Sequence, residues 1–213
     1  MSRANAEPVG IAVFARAPVA GQTKTRLIPA LGASGAARLH RRLILSALAV
    51  SRAAALGPVV VWAAPDAGQR FFRALSRRCQ VSVCAQPGGD LGERMAAAFA
   101  GQRGPMLLIG SDCPALRPAH LVSAAALLGE AAGNHAVVIP AEDGGYVLIG
   151  LRHPEPAVFG GIDWSSARVM AQTRQRLSEL GLRWAELPEL WDVDRAADLA
   201  RLAELDGSGP WLR

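Results

Sequence analysis

VGIAVFARAPVAGQTKTRL, residues 9–27, joins a short apolar run to a loop that is rich in Pro, Gly and basic residues. The apolar run at 9–15 is far too short to cross a membrane as a helix, and its β-branched and small residues predict a buried strand. The loop contains Lys24, the only lysine of a chain that has 23 basic residues. This stretch therefore raises the question of why a lysine occurs here when every other basic residue is an arginine.

Similar apolar runs recur along the chain, at 58–64, 80–85, 105–111, 135–141 and 146–151. Helices are predicted between and after them, near 34–56, 67–78, 91–101, 118–132, 165–180 and 195–205. Continuous apolar strands that alternate with helices are typical of a sheet covered on both faces. The sequence therefore predicts a three-layer α/β/α fold with a mostly parallel, Rossmann-like sheet. No repeat or linker divides the chain, so we expect one domain over residues 1–213 with a core at about 9–205.

Composition excludes several classes of protein. The 213 residues are 51% hydrophobic and 19% charged, which allows one substantial core. The net charge of +5 comes from arginines in ones and twos, a pattern that favours a solvated surface over a nucleic-acid partner. Three cysteines without a CxxC pair indicate neither a disulfide framework nor a zinc site. With no apolar segment of membrane-spanning length, we expect a soluble, cytoplasmic protein of undetermined oligomeric state.

The loop after the first run resembles an ATP-binding P-loop only superficially. That motif requires Gly directly before Lys and another Gly five residues earlier, where this chain has Thr23 and Pro18. What remains is a turn with three cations, Arg16, Lys24 and Arg26, at the end of a strand, where α/β sheets bind ligands. Cations and backbone N–H groups suit a diphosphate. The alternative is an ordinary basic surface loop.

Two acidic positions are candidate metal ligands. Asp112 follows the run at 105–111, so its carboxylate is expected at the sheet edge, where Mg²⁺ or Mn²⁺ would meet carboxylate and phosphate oxygens. Its alternative role is in a turn or a helix cap. Asp192 and Asp194 precede the last predicted helix; Asp194 is interpreted as its possible cap, which leaves Asp192 as a second metal ligand. Cys113 is interpreted as a buried thiol and not as a nucleophile.

The segment PAEDGGYVLIG places two acids beside two glycines. Glu142 and Asp143 are candidates for the acceptor side of a site, and Gly144 and Gly145 would let backbone approach a ligand. Tyr146, the only tyrosine of the chain, follows them. The alternative is a plain hairpin turn, because Asp-Gly is a favoured turn pair.

Two weaker features complete the candidates. QPGGDLGERM is a Gly-rich turn before a helix, and its glycines would permit close approach of a flat base. The four histidines, at positions 40, 120, 135 and 153, have no metal-binding spacing and are interpreted as structural or exposed.

Taken together, these motifs carry a resemblance to a known family. FARAPVAGQTKTRL, LGERM, IGSDCPAL, PAEDGGYVLIGL, IDWSSARV and WDVD, in this order and over about residues 9–200, resemble the bacterial DUF2064 family, also described as glycosyltransferase A. That family belongs to the nucleotide-diphospho-sugar transferase (GT-A) fold. The chain is also distantly similar to phospholactate guanylyltransferases, which share the Lys-Thr-Arg-Leu segment.

The resemblance implies roles for individual residues. It implies that Arg16, Lys24 and Arg26 face nucleotide phosphates, and that Asp112 is the metal-binding aspartate after the fourth strand. The residues that would line the base are Gln86, Gly89 and Leu91. The chain departs from the Asp-x-Asp signature of GT-A enzymes, since Ser111-Asp112-Cys113 contains a single acid.

The activity implied is that of a glycosyltransferase that binds a nucleotide-diphosphate sugar with Mg²⁺ or Mn²⁺. The acceptor hydroxyl would approach from the side of Glu142, Gly144, Gly145 and Tyr146, with Asp143 as candidate base. Two alternatives stay open: a nucleotidyltransferase that releases pyrophosphate, and a non-catalytic nucleotide-sugar binder.

Overall fold

A computed structural model describes residues 7–205 of the chain. Seven strands are formed by β1 (Gly10–Arg16), β2 (Val59–Ala64), β3 (Ser82–Ala85), β4 (Met106–Ile109), β5 (Ala136–Pro140), β6 (Tyr146–Leu151) and β7 (Trp184–Glu186). The α-helices in this part of the chain are α1 (Ile28–Ala53), α2 (Arg70–Cys79), α3 (Leu91–Ala100), α4 (Pro118–Leu128), α5 (Val169–Glu179) and α6 (Asp198–Leu205). Short 3-10 turns lie at Thr25–Leu27, Glu130–Ala132 and Pro156–Phe159.

The strands form one sheet in the order β3-β2-β1-β4-β6-β5-β7. β6 runs antiparallel to β4 and β5, and the other neighbours are parallel. This confirms the predicted mostly parallel α/β sheet. β7 was not predicted, because a three-residue strand of Trp, Ala and Glu at the sheet edge has neither an apolar run nor a clear alternation.

Helices cover both faces of the sheet, as the continuous apolar strands predict. Along β1, Val13 packs in a core with residues of α1, α2 and α4. Its neighbour Phe14 packs on the opposite face with Met95 and Phe99 of α3 and Met170 of α5. A third, smaller core joins α1 to α6. No helix within residues 7–205 is long and apolar enough to cross a membrane.

Several helices begin at positions that differ from those predicted. α1 begins at Ile28, six residues earlier than predicted, because Pro29 is accepted in a first turn. Gly32, with φ 67°, then interrupts the helical dihedrals before the predicted start. α5 and α6 begin three to four residues later than predicted. The segments before them, near 163–168 and 191–197, are the ones that reach the site described below.

Several loops meet at one edge of the sheet. β1, β4, β5 and β7 are mutually parallel, directly or through their shared neighbours, so the loops that follow them emerge on the same side. The turn that joins β5 to antiparallel β6 lies on this side too. This is the edge where ligands bind in open α/β sheets.

Candidate functional site

A cavity of about 770 Å³ opens at the carboxyl edge of the sheet. This volume lies within the range of small-molecule sites. Of the residues predicted from the sequence, the cavity is lined by Arg26, Leu91, Asp112, Glu142, Asp143, Gly145, Tyr146 and Asp192. Outside the lining are Arg16, Lys24, Gln86, Gly89 and Gly144. The structure thus brings most of the predicted residues to one place.

Lys24 has protein partners for its ammonium. Its Nζ lies 2.8 Å from Asp112 Oδ2 and donates to the carbonyl oxygen of Val193 at 2.5 Å. Asp194 Oδ1 lies 3.9 Å away. The Lys24 side chain is only 6% exposed, and its φ of 49° is uncommon for a residue with a side chain. The predicted phosphate contact of Lys24 stays a prediction; in this structure its ammonium binds a carboxylate.

Asp112 lies between two basic groups. His40 Nδ1 is 3.4 Å from Asp112 Oδ1, and Ser111 Oγ donates to the same oxygen at 3.2 Å. Burial by itself would raise the pKa of Asp112, but the charge of Lys24 and the proximity of His40 outweigh burial, so the pKa lies well below its usual range. The carboxylate, 37% exposed, is therefore ionised and still reaches the cavity.

His40 is a member of this cluster that sequence reasoning did not identify. It is buried in α1, and its Nε2 lies 3.0 Å from the carbonyl oxygen of Arg16, to which it donates. The sequence-based interpretation of the histidines as structural or exposed does not predict this contact of His40 with Asp112. A single histidine on a helix offers no spacing signal, because its partners come from two other segments of the chain.

Arg26 and Asp194 form an ion pair across the rim of the cavity. The possible role of Asp194 as the cap of α6 is wrong, since that helix begins four residues later. Asp198 closes the turn before α6 instead, because its Oδ2 accepts the N–H groups of Asp194 at 2.9 Å and Arg195 at 2.6 Å. Asp194 is thereby available to Arg26, and Arg195 also lines the cavity. Neither had been assigned a site role from the sequence.

Asp192 lies in a negatively charged part of the cavity. Burial and the neighbouring Asp143 raise its pKa to about 6; Lys24 opposes that rise and Asp112 adds to it. Asp143 is exposed, and its Oδ1 accepts the N–H of Gly145 at 2.9 Å. Carboxylates that raise one another's pKa are a common feature of functional sites.

The acids fit a divalent cation only if a substrate supplies further ligands. Across the part of the chain that the structure describes, no three His, Cys, Asp or Glu side chains are grouped as a complete metal site. Mg²⁺, however, is commonly bound through one or two carboxylates together with substrate phosphates. Asp112 and Asp192 both line the cavity, and Asp112 raises the pKa of Asp192 in the way expected of a nearby carboxylate. This donor set fits such a shared site.

Glu142 is held by a partner outside the predicted motifs. Its two carboxylate oxygens accept from the guanidinium of Arg201 at 2.6 and 3.0 Å, and this bond lowers the pKa of Glu142. The same guanidinium lies 4.5 Å from the ring centroid of Trp191. Glu142 thus ties the β5–β6 turn to α6, beside the cavity that it lines.

Gly144 is required by the chain itself and not by a ligand. Its φ is 90°, and a Cβ at this position would lie 2.2 Å from the carbonyl oxygen of Ala167. The N–H of Met170 also donates to the Gly144 carbonyl at 2.8 Å. The expectation that both glycines admit a ligand therefore needs correction at Gly144, whereas Gly145 does line the cavity. The hairpin turn and the site are the same feature, because the turn presents the acids.

Tyr146 forms part of the cavity wall. Its hydroxyl donates to Met95 Sδ at 3.6 Å, and its ring meets Trp164 edge to face at 6.5 Å between centroids. Burial raises the pKa of Tyr146 far above neutrality, so the phenol stays protonated. Cys113 is likewise a thiol at neutral pH, because burial raises its pKa to about 12. Neither residue has the ionisation of a nucleophile.

The predicted base-binding residues are only partly at the cavity. Leu91 is 42% exposed and lines it. The Gln86 carboxamide donates to the carbonyl oxygen of Trp62 at 2.9 Å, and Gly89, with φ 101°, accepts from Arg94 Nε at 2.9 Å. These bonds fix the turn before α3. The role of the turn in holding a base stays a prediction.

One wall of the cavity was missing from the sequence-based site. The segment before α5 contributes Trp164, Ser165, Ser166 and Ala167. This segment is the motif IDWSSARV, for which the sequence predicts no role because it contains neither a Gly-rich turn nor a cluster of like charges. Its signal was the pair of adjacent serines. Ser166 Oγ donates to the carbonyl oxygen of Asp163 at 2.7 Å, which leaves the Ser165 hydroxyl as the potential donor to a polar ligand.

Comparisons with known proteins agree with this geometry. A crystal structure from Desulfovibrio desulfuricans G20, described as a "putative nucleotide-diphospho-sugar transferase", has a TM-score of 0.84 and 30% identity, covering 96% of this chain and 90% of that one. A synthetase of CMP:2-keto-3-deoxy-manno-octonic acid complexed with CTP has a TM-score of 0.60 at 13% identity, over 94% of this chain and 99% of that one. A third similar structure is glucosyl-3-phosphoglycerate synthase from Mycobacterium tuberculosis, solved with Mn²⁺ and UDP. Its TM-score is 0.53 at 11% identity, and the match covers 97% of this chain and 82% of that one. No protein with a curated description matches the sequence.

The sheet, its flanking helices and the cavity at the carboxyl edge define a fold of the nucleotide-diphospho-sugar transferase (GT-A) type. The sequence model of DUF2064, described as an uncharacterized protein family conserved in bacteria, matches residues 47–166. The chain belongs to the DUF2064 family, which confirms the resemblance given by its motifs. The similar structures include nucleotide-sugar transferases and nucleotidyltransferases, so the fold is that of a transferase that binds nucleotides or nucleotide-sugars.

Proposed function

We propose that the protein is a glycosyltransferase that takes a sugar from a nucleotide-diphosphate sugar and transfers it to an acceptor hydroxyl. The observation that carries the proposal is the 770 Å³ cavity, in which arginines and ionised carboxylates meet at the carboxyl edge of a GT-A sheet. The 30% identical structure with the same fold supports the choice of a sugar donor. The single-domain organisation of the chain is part of the same proposal.

The diphosphate would be bound by the arginines that face the cavity. Arg26 has a side chain that is 67% exposed and is paired with Asp194 only at the rim, and Arg195 lies beside it in the lining. Guanidinium groups bind phosphate oxygens in a bidentate manner. As the bond to the sugar breaks, negative charge grows on the departing nucleoside diphosphate, and these fixed cations stabilise it.

Asp112 and Asp192 would hold a divalent cation together with phosphate oxygens of the donor. Such a cation would neutralise charge on the diphosphate. The similar structure from M. tuberculosis, solved with Mn²⁺ and UDP, supports a divalent cation in the site but not the choice of its ligands. In this scheme the contact of Lys24 with Asp112 keeps the carboxylate ionised and fixed in position, while one side of it reaches the cavity.

Asp143 would act on the acceptor. It is exposed at the cavity, and the N–H of Gly145 engages its Oδ1, which orients the carboxylate. The second oxygen can accept the proton of an acceptor hydroxyl during attack on the sugar. Glu142, Gly144, Gly145 and Tyr146 form the surrounding turn and wall, and we assign them to the acceptor side.

The products test the proposal directly. The protein is incubated with Mn²⁺ and, separately, with nucleotide-sugars and with nucleoside triphosphates in the presence of candidate acceptors, and both nucleoside diphosphate and pyrophosphate are measured. We expect diphosphate release from one nucleotide-sugar, and a loss of turnover in Asp143→Asn with donor binding retained.

Two other outcomes would contradict a glycosyltransferase. Release of pyrophosphate from a nucleoside triphosphate would identify the nucleotidyltransferase alternative. Thermal stabilisation by a nucleotide-sugar without turnover of any panel member would identify a binding protein. Glu179→Gln, which alters an exposed ion pair with Arg176 on α5 and lies outside the cavity lining, is the matched control.

A further inference from the structure

The positive charge of the chain is concentrated in one part of it. Residues 8–89 contain eleven basic residues and a single acid, Asp66, which gives this part a net charge of +10. Residues 90–213 contain eleven basic and sixteen acidic residues, a net charge of −5. The arginines do stand in ones and twos, but in the first part of the chain Asp66 is the one acid among them.

Much of this charge lies on one outer surface. On α1, Arg38, Arg41 and Arg52 are exposed and lie on one stripe of the helix, since they are three and eleven residues apart. On α2 the exposed arginines at 70, 73 and 77 repeat the helical spacing. Both helices bury their other side in the same core, on the same face of the sheet. Arg52 also donates to the carbonyl oxygen of Cys79 at 2.8 Å, so the ends of the two helices are adjacent.

No acid balances these arginines on the helices themselves. α1, α2 and α4, all within the described residues, contain no Asp or Glu. None of the six arginines named above forms one of the ion pairs found between residues 7 and 205. A surface that serves only for solubility usually mixes both signs, whereas a field of one sign attracts a partner of the opposite sign.

The same surface exposes apolar side chains. Leu45 lies on the arginine stripe of α1 and is 36% exposed. α4, which contacts α1, contains no Lys or Arg, and its Val122 is 48% exposed. Single-stranded nucleic acid would require exposed aromatic rings for stacking, but Phe72 of α2 is fully buried and Phe71 partly so. Arginines beside exposed aliphatic groups suit the headgroup region of a bilayer.

We propose that the outer surface of α1, α2 and α4, here called the arginine face, docks on a bilayer that contains anionic phospholipids. The arginines would bind the headgroup phosphates, and Leu45 and Val122 would enter the interface. Each of the three helices follows a parallel strand, so its amino end lies at the sheet edge that carries the cavity. The cavity therefore stays at the side of the docked surface and is not covered by it. This inference does not depend on the reaction at the cavity.

Flotation of the full-length protein with vesicles tests the inference. Vesicles of phosphatidylcholine alone are compared with vesicles in which about a third of the lipid is phosphatidylglycerol, at about 0.05 M and about 0.5 M salt. We expect binding to the anionic vesicles only, and its loss at high salt. The same protein is also titrated with a single-stranded RNA homopolymer.

Two variants of equal charge locate the surface. In the first, Arg38, Arg41, Arg73 and Arg77 are replaced by Gln; in the control, the same change is made at Arg103, Arg168, Arg174 and Arg183, which lie outside the arginine face. We expect the first to weaken vesicle binding by at least about tenfold and the control by less than about twofold. The combination Leu45→Gln and Val122→Gln, at exposed positions, should weaken it about threefold or more. Thermal unfolding of each variant shows whether it is folded.

Three results would overturn the inference. The first is that the wild-type protein fails to bind anionic vesicles at low salt. The second is that the control variant loses as much binding as the first variant. That result would indicate that vesicle binding depends on the net charge of the protein and not on a defined surface. The third is binding of the RNA with no binding of vesicles, which would identify a nucleic-acid partner.

Discussion

Residues 8–89 and residues 90–205 contribute to the cavity in opposite ways. The first part supplies a single loop, in which Arg26 lines the cavity and Lys24 binds Asp112 from outside the lining. The second part supplies carboxylates from three separate segments, which contain Asp112, Asp143 and Asp192, and one lining arginine, Arg195. Cations on one loop need only that loop to be placed correctly. Carboxylates that repel one another must be held together by the backbone around them, and this difference can be tested.

Two of the charge contacts between these parts also differ in depth. Lys24 is 6% exposed where it meets Asp112, whereas Arg26 is 67% exposed where it meets Asp194. A buried ammonium that loses its carboxylate remains in a poor environment for charge, but an exposed guanidinium is solvated by water. The inner contact should therefore support the structure, and the outer one should be available to a ligand.

The largest effect is expected at the glycine that holds the carboxylate side together. Gly144→Ala should lower the free energy of unfolding by about 3 kcal/mol or more, because a positive φ and overlap with the Ala167 backbone add to each other. Gly21 is the matched control in the cation loop: its φ is 80°, but nothing lies within 4 Å of a Cβ there. Gly21→Ala should cost about 1 kcal/mol. Urea unfolding measures both, and equal losses would show that the contact with Ala167 does not matter.

The next effect is expected at the inner charge contact. Asp112→Ala leaves the buried ammonium of Lys24 without its carboxylate, and the free energy of unfolding should fall by about 2 kcal/mol. This is less than for a fully buried pair, since Asp112 is 37% exposed. Asp163→Ala, which breaks an exposed pair with Arg168, should cost less than about 0.5 kcal/mol. If a nucleotide with Mn²⁺ stabilises the wild-type protein, that stabilisation should be absent in Asp112→Ala and present in the control variant. Stabilisation that persists in Asp112→Ala would show that the metal binds elsewhere.

Burial of Asp192, together with repulsion from the neighbouring carboxylates, should make stability depend on pH. Folding raises the pKa of Asp192 from 3.8 to about 6, so the folded state binds this proton more tightly than the unfolded chain does. The resulting stabilisation is complete below about pH 3.8 and is lost as pH rises through about 6. Without added metal, Asp192→Asn should therefore gain about 1–2 kcal/mol over wild type at neutral pH and almost nothing near pH 4. A gain that is independent of pH would exclude this origin.

The smallest effect on stability is expected at the outer contact. Arg26→Gln should change the free energy of unfolding by less than about 0.5 kcal/mol, because the pair with Asp194 is exposed. Its effect should appear in binding, as a nucleotide affinity about tenfold weaker in calorimetric titration. Arg174→Gln, which breaks an ion pair with Glu186 outside the cavity lining, is the control and should leave the affinity unchanged. If both variants bind nucleotide equally well, Arg26 is not a phosphate ligand.

The fold could be predicted from the sequence because its signals are local. Each of the first six strands coincides with an apolar run, and α1, α3 and α4 are rich in Ala or Leu. β7 escaped prediction because a three-residue edge strand gains its structure from pairing with β5 and not from its own residues. Helix starts at Val169 and Asp198 were placed too early for the same reason: the preceding loops are shaped by distant contacts.

The site was predictable in position but not in its contacts. Strand ends and charged loops indicated where residues such as Asp112 and Asp143 would meet. The partner of Lys24, by contrast, includes the carbonyl of Val193, which is 169 residues away. The roles of His40 and Arg195 depend in the same way on which loops become neighbours, and no local spacing carries that information.

The burial of Lys24 has a practical consequence. The chain has a single side-chain amine, and its nitrogen lies between a carboxylate and a backbone carbonyl instead of in water. An acylating reagent therefore has one lysine to modify. It can react with the Lys24 amine only when the loop opens or the contact with Asp112 breaks. The rate of lysine acylation, followed by mass spectrometry, then reports how often this loop opens.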